Sequence, residues 1–98
     1  MKRRTFVRPE AHINISEAAV WYEQRETGLG QRFLDEIHQS LRSISMMPLR
    51  FPVIESGVRR LLLHRFPYAV YFVVESNHIT IIAVLHQHQA PQSWIDEA

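Results

Sequence analysis

Apolar positions along the chain change their spacing near its middle. In the first half, Ile15, Ala18, Ala19 and Tyr22 recur at the intervals that place side chains on one face of an α-helix. The sequence TGLG at 27–30 then interrupts the pattern, and glycine is typical of a helix end. A second stripe with helical spacing follows and consists of Phe33, Leu34, Ile37, Leu41 and Ile44. We therefore predict two helices with a short link, which favours an antiparallel helical hairpin.

Polar and proline residues suggest where these helices begin and end. Asn14 followed by Glu17 has the spacing of a helix N-cap with a capping box, so we expect the first helix to begin at Asn14. Pro48 should end the second helix, because proline cannot continue the hydrogen-bond ladder.

The second half has the period and residue types of β-strands. The predicted strands are RTFVR (4–8), VRRLLLHRF (58–66), YAVYFVVE (68–75) and HITIIAVLH (78–86). The last two strands are separated by a tight turn at SN or NH, which predicts a hairpin. PQSWIDEA (91–98) would form a short tail or helix. The predicted order is β-α-α-β-β-β, a single α+β domain over 1–98 with a helical hairpin packed on a small, mainly antiparallel sheet.

Both faces of the last two strands are apolar. By strict alternation, the faces of the returning strand are Ile79, Ile81, Ala83 and Leu85 against Thr80, Ile82 and Val84. One helical hairpin covers one face of a sheet, so the other must be covered by something else. The alternatives are the C-terminal tail, a second copy of the chain, or another protein.

Composition narrows the classes of function. The 98 residues fit one small domain, and the chain has no cysteine, which excludes disulfides and thiolate chemistry. The formal net charge of +1 argues against strong general affinity for nucleic acid. No apolar stretch has the length of a membrane span, and the basic start lacks the apolar run of a signal peptide. We expect a cytoplasmic protein with no membrane association.

His86 and His88 follow the last strand one residue apart, and they admit three interpretations. A metal pair would need further ligands, and the sequence has neither an HExxH motif nor a Cys/His cluster, so we expect no metal and no cofactor. An acid/base pair is chemically reasonable, because histidine titrates near neutral pH and ribonucleolytic cleavage needs proton transfer. The third interpretation is a solvated strand end.

Three arginines lie in the predicted strand 58–66. Alternation places Arg59 and Arg65 on one face, and Arg60 on the other face with His64. They could bind RNA phosphates or the acidic side chains of a partner, or they could protect an edge strand by charge. Trp21 is expected in the core or at its edge, and Trp94 should pack the tail onto the body.

The pieces WYE…GLGQRFL, FPY and AVLHQHQAPQSW occur in this order over nearly the whole chain. Together they resemble the RelE/ParE superfamily of toxins from type II toxin–antitoxin systems, and most of all the ParE, or plasmid stabilisation protein, branch. The resemblance implies a small sheet flanked by a helical hairpin, and an antitoxin whose C-terminal segment wraps the toxin. Similar ParE proteins inhibit DNA gyrase, whereas similar RelE proteins are ribosome-dependent mRNA endonucleases. The fold does not decide between these activities.

The resemblance also implies roles for particular residues. Under the ParE alternative, the residues that bind the antitoxin or the target are Arg59, Arg60, Arg65, Tyr68, His86 and Trp94. A homodimer or a heterotetramer with the antitoxin is compatible with this alternative, without sequence-specific binding to nucleic acid. Under the RelE alternative, His64 and His88 transfer protons, although Trp94 stands where such ribonucleases tend to have a tyrosine.

One position departs from the pattern of the ParE branch, which often has His-x-x-Arg-x-Pro near its end. This chain has His86 and Pro91 at the outer positions, but Gln89 where the arginine would be. A degenerate toxin that retains only antitoxin binding is therefore a third alternative.

Overall fold

A helical hairpin packs on one face of a five-stranded sheet in the computed structural model, which describes residues 3–89. The elements in chain order are β1 (Arg4–Val7), α1 (Pro9–Arg25), α2 (Leu29–Met46), a short 3₁₀ helix (Pro48–Arg50), β2 (Val53–Glu55), β3 (Val58–Leu62), β4 (Tyr68–Val74) and β5 (His78–His86). The strand order is β1-β5-β4-β3-β2, with β1 parallel to β5 and every other pair antiparallel. The predicted α+β fold is confirmed, with β2 as an additional strand. The predicted tail at 91–98 lies outside the described residues.

The N-cap of the first helix is Arg8, six residues before the Asn14 that the capping pattern suggested. Pro9 is its first residue, and Arg8 before it has extended backbone angles (φ −63°, ψ 152°). Proline suits this position because its fixed φ is helical and its missing N–H would have had no partner there. Asn14 therefore lies inside α1 rather than at its N-cap. Its side chain instead accepts a hydrogen bond from the Val84 N–H at 3.0 Å.

Close approach of the two helices depends on Glu23 and Gly30. The Glu23 carboxylate accepts hydrogen bonds from the N–H groups of Gly28 (2.9 Å) and Gly30 (3.0 Å), which have no partner within α2. A Cβ atom at position 30 would lie 2.6 Å from the Ala19 carbonyl oxygen, so only glycine fits at this crossing. The antiparallel hairpin is as predicted.

The main core lies between the hairpin and the sheet. The apolar stripe of α2 enters it as predicted, with Phe33, Ile37 and Ile44 fully buried. Aromatic rings extend the core toward the end of the β4–β5 hairpin at which β4 begins and β5 ends. Tyr22 of α1 contacts Phe33 and Phe66 there, with ring centroids 5.4 and 4.8 Å apart. The residues of this core fix the position of the helices over the sheet.

A β-bulge in β5 changes which side chains face the helices. Tyr71 pairs with Ala83, whereas the next residue, Phe72, pairs with Ile81, so Ile82 is an extra residue in the ladder. After the bulge, Val84 packs into the main core while Ala83 packs on the opposite face. The strict alternation predicted for this strand is therefore wrong beyond Ile81.

The second sheet face carries a smaller apolar cluster whose members within residues 3–89 all come from strands. Its centre is buried in the single chain, with Tyr71 only 2% exposed and Ala69 not exposed at all. Exposed apolar side chains lie at its margins, where Phe6 of β1 and Leu62 of β3 are 52% and 48% exposed. The expectation of an uncovered face thus applies to these margins and not to the centre.

Candidate functional site

A cavity of about 660 Å³ lies between α1 and the end of the β4–β5 hairpin at which β4 begins and β5 ends. We call it the aromatic pocket, and its lining includes Trp21, Tyr22, Tyr68 and His86 together with the polar residues Asn14, Glu17 and Gln89. The Tyr68 ring meets the His86 ring edge to face, with centroids 5.3 Å apart, and Tyr22 lies 6.0 Å from Tyr68. The pocket therefore brings together Tyr68 and His86, two binding residues predicted from the sequence. Gln89, which stands where the ParE branch often has arginine, lies beside them.

Hydrogen bonds and ring stacking fix the tautomer of His86 and the position of His88 at the end of β5. The His88 backbone N–H donates to His86 Nδ1 at 3.1 Å, so the neutral His86 ring carries its proton on Nε2. The His88 ring stacks on the His86 ring with centroids 5.2 Å apart. Gln89 closes the turn, because its side-chain oxygen accepts from the His86 N–H at 2.7 Å and its own N–H donates to the His86 carbonyl at 2.9 Å. Gln89 is thus bound to the backbone of His86, three residues before it.

Burial makes the two pocket tyrosines harder to ionise. Desolvation raises the pKa of Tyr22 above its ordinary value, and the neighbouring Tyr68 phenolate would raise it further. Desolvation also raises the pKa of Tyr68. Both phenols are therefore neutral hydrogen-bonding groups at physiological pH, and neither is a base for catalysis there.

The three candidate arginines do not form one cluster. Arg59 faces the helices, where its guanidinium donates to the Phe51 carbonyl at 2.6 Å and braces the segment before β2. Arg60 is half-buried and occupies the other face, opposite Tyr71 in the ladder. Arg65 is exposed and lies beyond the end of β3 at Leu62, so the prediction that it shares a strand face with Arg59 is wrong. The strand ends early because the chain turns before Pro67.

His64 follows β3 at the same end of the sheet as His86, since the Leu63 N–H donates to the Tyr68 carbonyl and Tyr68 pairs with His86. Its backbone N–H and that of Arg65 donate to the Glu36 carboxylate of α2. Its side chain lines two grooves beside α2, of about 470 and 440 Å³. Within residues 3–89, no hydrogen bond or ring contact joins His64 to His88. The two candidate proton-transfer groups are therefore not in direct contact in this structure.

The described part of the chain shows neither a metal site nor a membrane-spanning helix. Residues 3–89 contain no group of three His, Asp or Glu side chains arranged to hold a metal ion. None of the helices described here has the length and hydropathy needed to traverse a bilayer. Trp94, predicted to take part in binding, lies outside the described residues.

Sequence reasoning missed two polar residues that shape these sites. Asn14 reaches a backbone group 70 residues away, and Glu36 reaches groups 28 and 29 residues away. No local pattern signals such bonds, because they depend on how distant elements pack. Only the half-buried position of each on an otherwise apolar helix face could have suggested a partner.

The chain matches a family model described as the ParE toxin of type II toxin–antitoxin systems, parDE, over residues 6–91. It also superimposes on a solved structure described as the chromosomal ParDE TA system from P. aeruginosa, with a TM-score of 0.77. That alignment covers 87% of this chain and 96% of the other at 17% sequence identity, which supports a shared fold. A comparison with curated proteins found no significant match. On the strength of the family match over most of its length, the chain belongs to the ParE toxin family of type II toxin–antitoxin systems.

Proposed function

We propose that this toxin acts by binding, that it inhibits DNA gyrase in the cytoplasm, and that a cognate antitoxin neutralises it. The family match over residues 6–91 carries this proposal. Gyrase inhibition is the activity that the resemblance to the ParE branch implies. The mRNA endonuclease alternative has no comparable support.

The placement of the histidines favours binding over catalysis. General acid/base cleavage needs two groups within reach of one substrate bond. His64 lies beside Glu36 and α2, whereas His88 is stacked on His86 at the end of β5. His86 also uses Nδ1 as an acceptor for the backbone, which removes that atom from proton transfer. The described residues thus offer a recognition surface more readily than a reaction centre.

Exposed apolar side chains on the hairpin support an antitoxin interface. Ile13, Val20 and Trp21 of α1 are 55%, 56% and 47% exposed, although their neighbours on the other side of the helix are buried. A second exposed apolar group begins at the last residue of α2 and comprises Met46, Met47 and Leu49. Adjacent apolar surface of this kind is typical of a protein-binding site.

The arginines contribute unequally to such an interface. Arg60 and Arg65 have no acidic partner within residues 3–89, so both can pair with carboxylates of an antitoxin. Arg59 is already committed to the carbonyls of Leu49 and Phe51, and its contribution is to hold the segment that carries Leu49. The gyrase-facing surface is proposed to lie in the tail around His86 to Trp94, of which residues 90–98 lie outside the described part of the chain.

Toeprinting on translating ribosomes tests the choice between the two activities. We expect intact mRNA in the presence of the purified protein, together with growth arrest when it is expressed without an antitoxin. Codon-positioned cleavage that disappears in His88→Ala would instead establish a RelE-like endonuclease. Normal growth on expression alone, with an antitoxin complex that still forms, would identify a degenerate toxin.

A further inference from the structure

Basic residues are concentrated at the N-terminal end of the chain. The first eight residues, MKRRTFVR, contain four of the eleven lysines and arginines and none of the ten acidic residues. The rest of the chain keeps seven basic and ten acidic residues, a formal charge of −3. The net charge of +1 is therefore the sum of one strongly basic segment and an acidic remainder. Such a segment can attract a polyanion for which the molecule as a whole has little affinity.

β1 presents part of this segment at the edge of the sheet. Val7 packs against the main core, so alternation places Arg4, Phe6 and Arg8 on the opposite face. Arg8 continues the strand, because its backbone angles are extended and its N–H donates to the Ile81 carbonyl at 3.0 Å. Arg4 and Arg8 are exposed, and within residues 3–89 neither forms an ion pair with an acidic side chain. Both guanidinium groups are therefore available to an anion.

Phe6 is the aromatic centre of this surface, and its side chain is 52% exposed. The Arg4 guanidinium carbon lies 5.8 Å from the centroid of the Phe6 ring, and the His78 ring meets it edge to face with centroids 5.5 Å apart. Arg4 and His78 are partners in the pairing of β1 with β5, so the ring is held by contacts from two strands. Phe6 is thus fixed in position while much of its ring stays accessible. We call Arg4, Phe6, Arg8 and His78 the basic aromatic patch.

The combination of exposed arginines with an exposed ring distinguishes among the partners that this patch could bind. Charged side chains alone protect an edge strand from unwanted pairing. An exposed phenylalanine has the opposite effect, because it adds apolar surface to that edge. An acidic peptide would pair with the arginines but has no planar group to stack on Phe6. Arginines for phosphates beside a ring for an unpaired base are typical of binding to single-stranded nucleic acid without sequence preference.

We propose that the basic aromatic patch binds single-stranded DNA without sequence preference, with phosphates on Arg4 and Arg8 and one base stacked on Phe6. His78 is a positioning residue for the Phe6 ring. The choice of DNA rests on the proposed function, whose target acts on DNA, whereas the phosphate and base chemistry rests on the patch alone. Few phosphate contacts and one stacked base give weak, salt-sensitive binding, which agrees with the small net charge.

Three ligands of equal charge separate the contributions to binding. The first is a short, fluorescently labelled oligothymidine, titrated with the full-length protein at low ionic strength and followed by anisotropy. The second is an abasic oligonucleotide with the same phosphates and no bases, and the third is an oligoglutamate peptide. We expect the oligothymidine to bind about tenfold more tightly than either of the others, because only it can stack a base on Phe6.

Substitutions in the patch should affect these ligands differently. Phe6→Leu keeps an apolar side chain but removes the ring, so it should weaken oligothymidine about tenfold and leave the abasic ligand nearly unchanged. Arg4→Gln and Arg8→Gln should weaken both oligonucleotides. Each should also reduce the slope of log affinity against log salt concentration by about 0.7, the value for one phosphate contact on a single strand.

Arg32→Gln is the matched control for the arginine substitutions. It removes the same charge from an exposed position near the start of α2. The Arg3 N–H donates to the Ser45 carbonyl, so β1 adjoins the other end of α2, about 20 Å along the helix from Arg32. We expect oligothymidine binding by Arg32→Gln to equal that of the unmodified protein. Thermal unfolding of each full-length variant establishes that it folds.

The outcomes separate this inference from the proposed function. Equal binding of oligothymidine and oligoglutamate, or unchanged oligothymidine binding by a folded Phe6→Leu, overturns the inference. Absence of oligothymidine binding by a protein that inhibits gyrase overturns it too and leaves the proposed function intact. Binding with the expected effects of the substitutions, by a protein that leaves gyrase unaffected, supports the patch and contradicts the proposed target. Tighter binding of an oligouridine of the same length would assign the patch to RNA and overturn the choice of DNA.

Discussion

Side-chain oxygens replace missing backbone partners at several points in this protein. Asn14 and Gln89 do so at the edge of β5, Glu23 at the start of α2, and Glu36 after the end of β3. Each lies where a regular element stops and leaves N–H groups without a ladder partner. Single side chains thus determine where the elements end and which polar groups remain available to a ligand.

Glu36 should be important for the turn that follows β3. Glu36→Ala leaves the N–H groups of His64 and Arg65 without their acceptor, and we expect unfolding to become easier by about 1 kcal/mol. Asp35→Ala is the matched control, since Asp35 is exposed and bonds only to the side chain of Gln31 within residues 3–89. Urea denaturation measures both, and equal losses for the two variants would contradict the assigned role of Glu36.

Stability should decrease in alkaline solution because of Tyr22 and Tyr68. Folding raises the pKa of both phenols above 10.0, so the unfolded chain ionises first as the pH rises. Their contribution is complete below the unfolded-state pKa and is lost as the pH rises through the folded-state values. The double variant Tyr22→Phe/Tyr68→Phe should show a weaker decline in urea midpoint above about pH 10. An identical decline in both proteins would refute this explanation.

The helical hairpin depends on two glycines for different physical reasons. Gly28 has a left-handed backbone conformation (φ 92°) with open space around it, whereas Gly30 has ordinary helical geometry but touches the Ala19 carbonyl. The first position restricts conformation and the second restricts size. Together they fix the link and the crossing of α1 and α2, and therefore the wall of the aromatic pocket formed by α1.

Substitutions at these glycines should rank in opposite orders. At Gly28, asparagine should be tolerated better than alanine despite its size, because asparagine adopts left-handed backbone angles more readily. At Gly30, alanine should cost about 1–3 kcal/mol and asparagine more, because each added atom forces the helices apart. Thermal unfolding of the four variants gives both orders, and the same order at both positions would contradict this distinction.

At the scale of the whole molecule, one small fold supports several binding surfaces around a single helical hairpin. The exposed side of α1 and the apolar residues Met46, Met47 and Leu49 lie outside the main core, so they can vary without loss of the fold, whereas the aromatic pocket shares Ala18 and Val84 with that core. This separation fits the proposal that the protein binds both a target and an antitoxin. The fold by itself does not specify the target.

The parts of this structure that the sequence predicted are those governed by local periodicity. The stripe of α2 through Phe33 and Ile44 is regular because one helix face meets the core. The start of α1 was misplaced because a polar side chain with capping spacing, Asn14, serves a distant strand instead. The bulge at Ile82 and the dispersal of the arginines depend on pairing between strands, which no local pattern contains.

Gyrase inhibition is tested by supercoiling of relaxed plasmid by DNA gyrase, titrated with the purified full-length toxin. We expect supercoiling to fall as the toxin concentration rises and to return when the protein encoded beside the gene is added in excess. A parallel titration with heat-unfolded toxin controls for nonspecific effects. Unchanged supercoiling over a wide range of concentrations, by a toxin that still arrests growth, would contradict the proposed target.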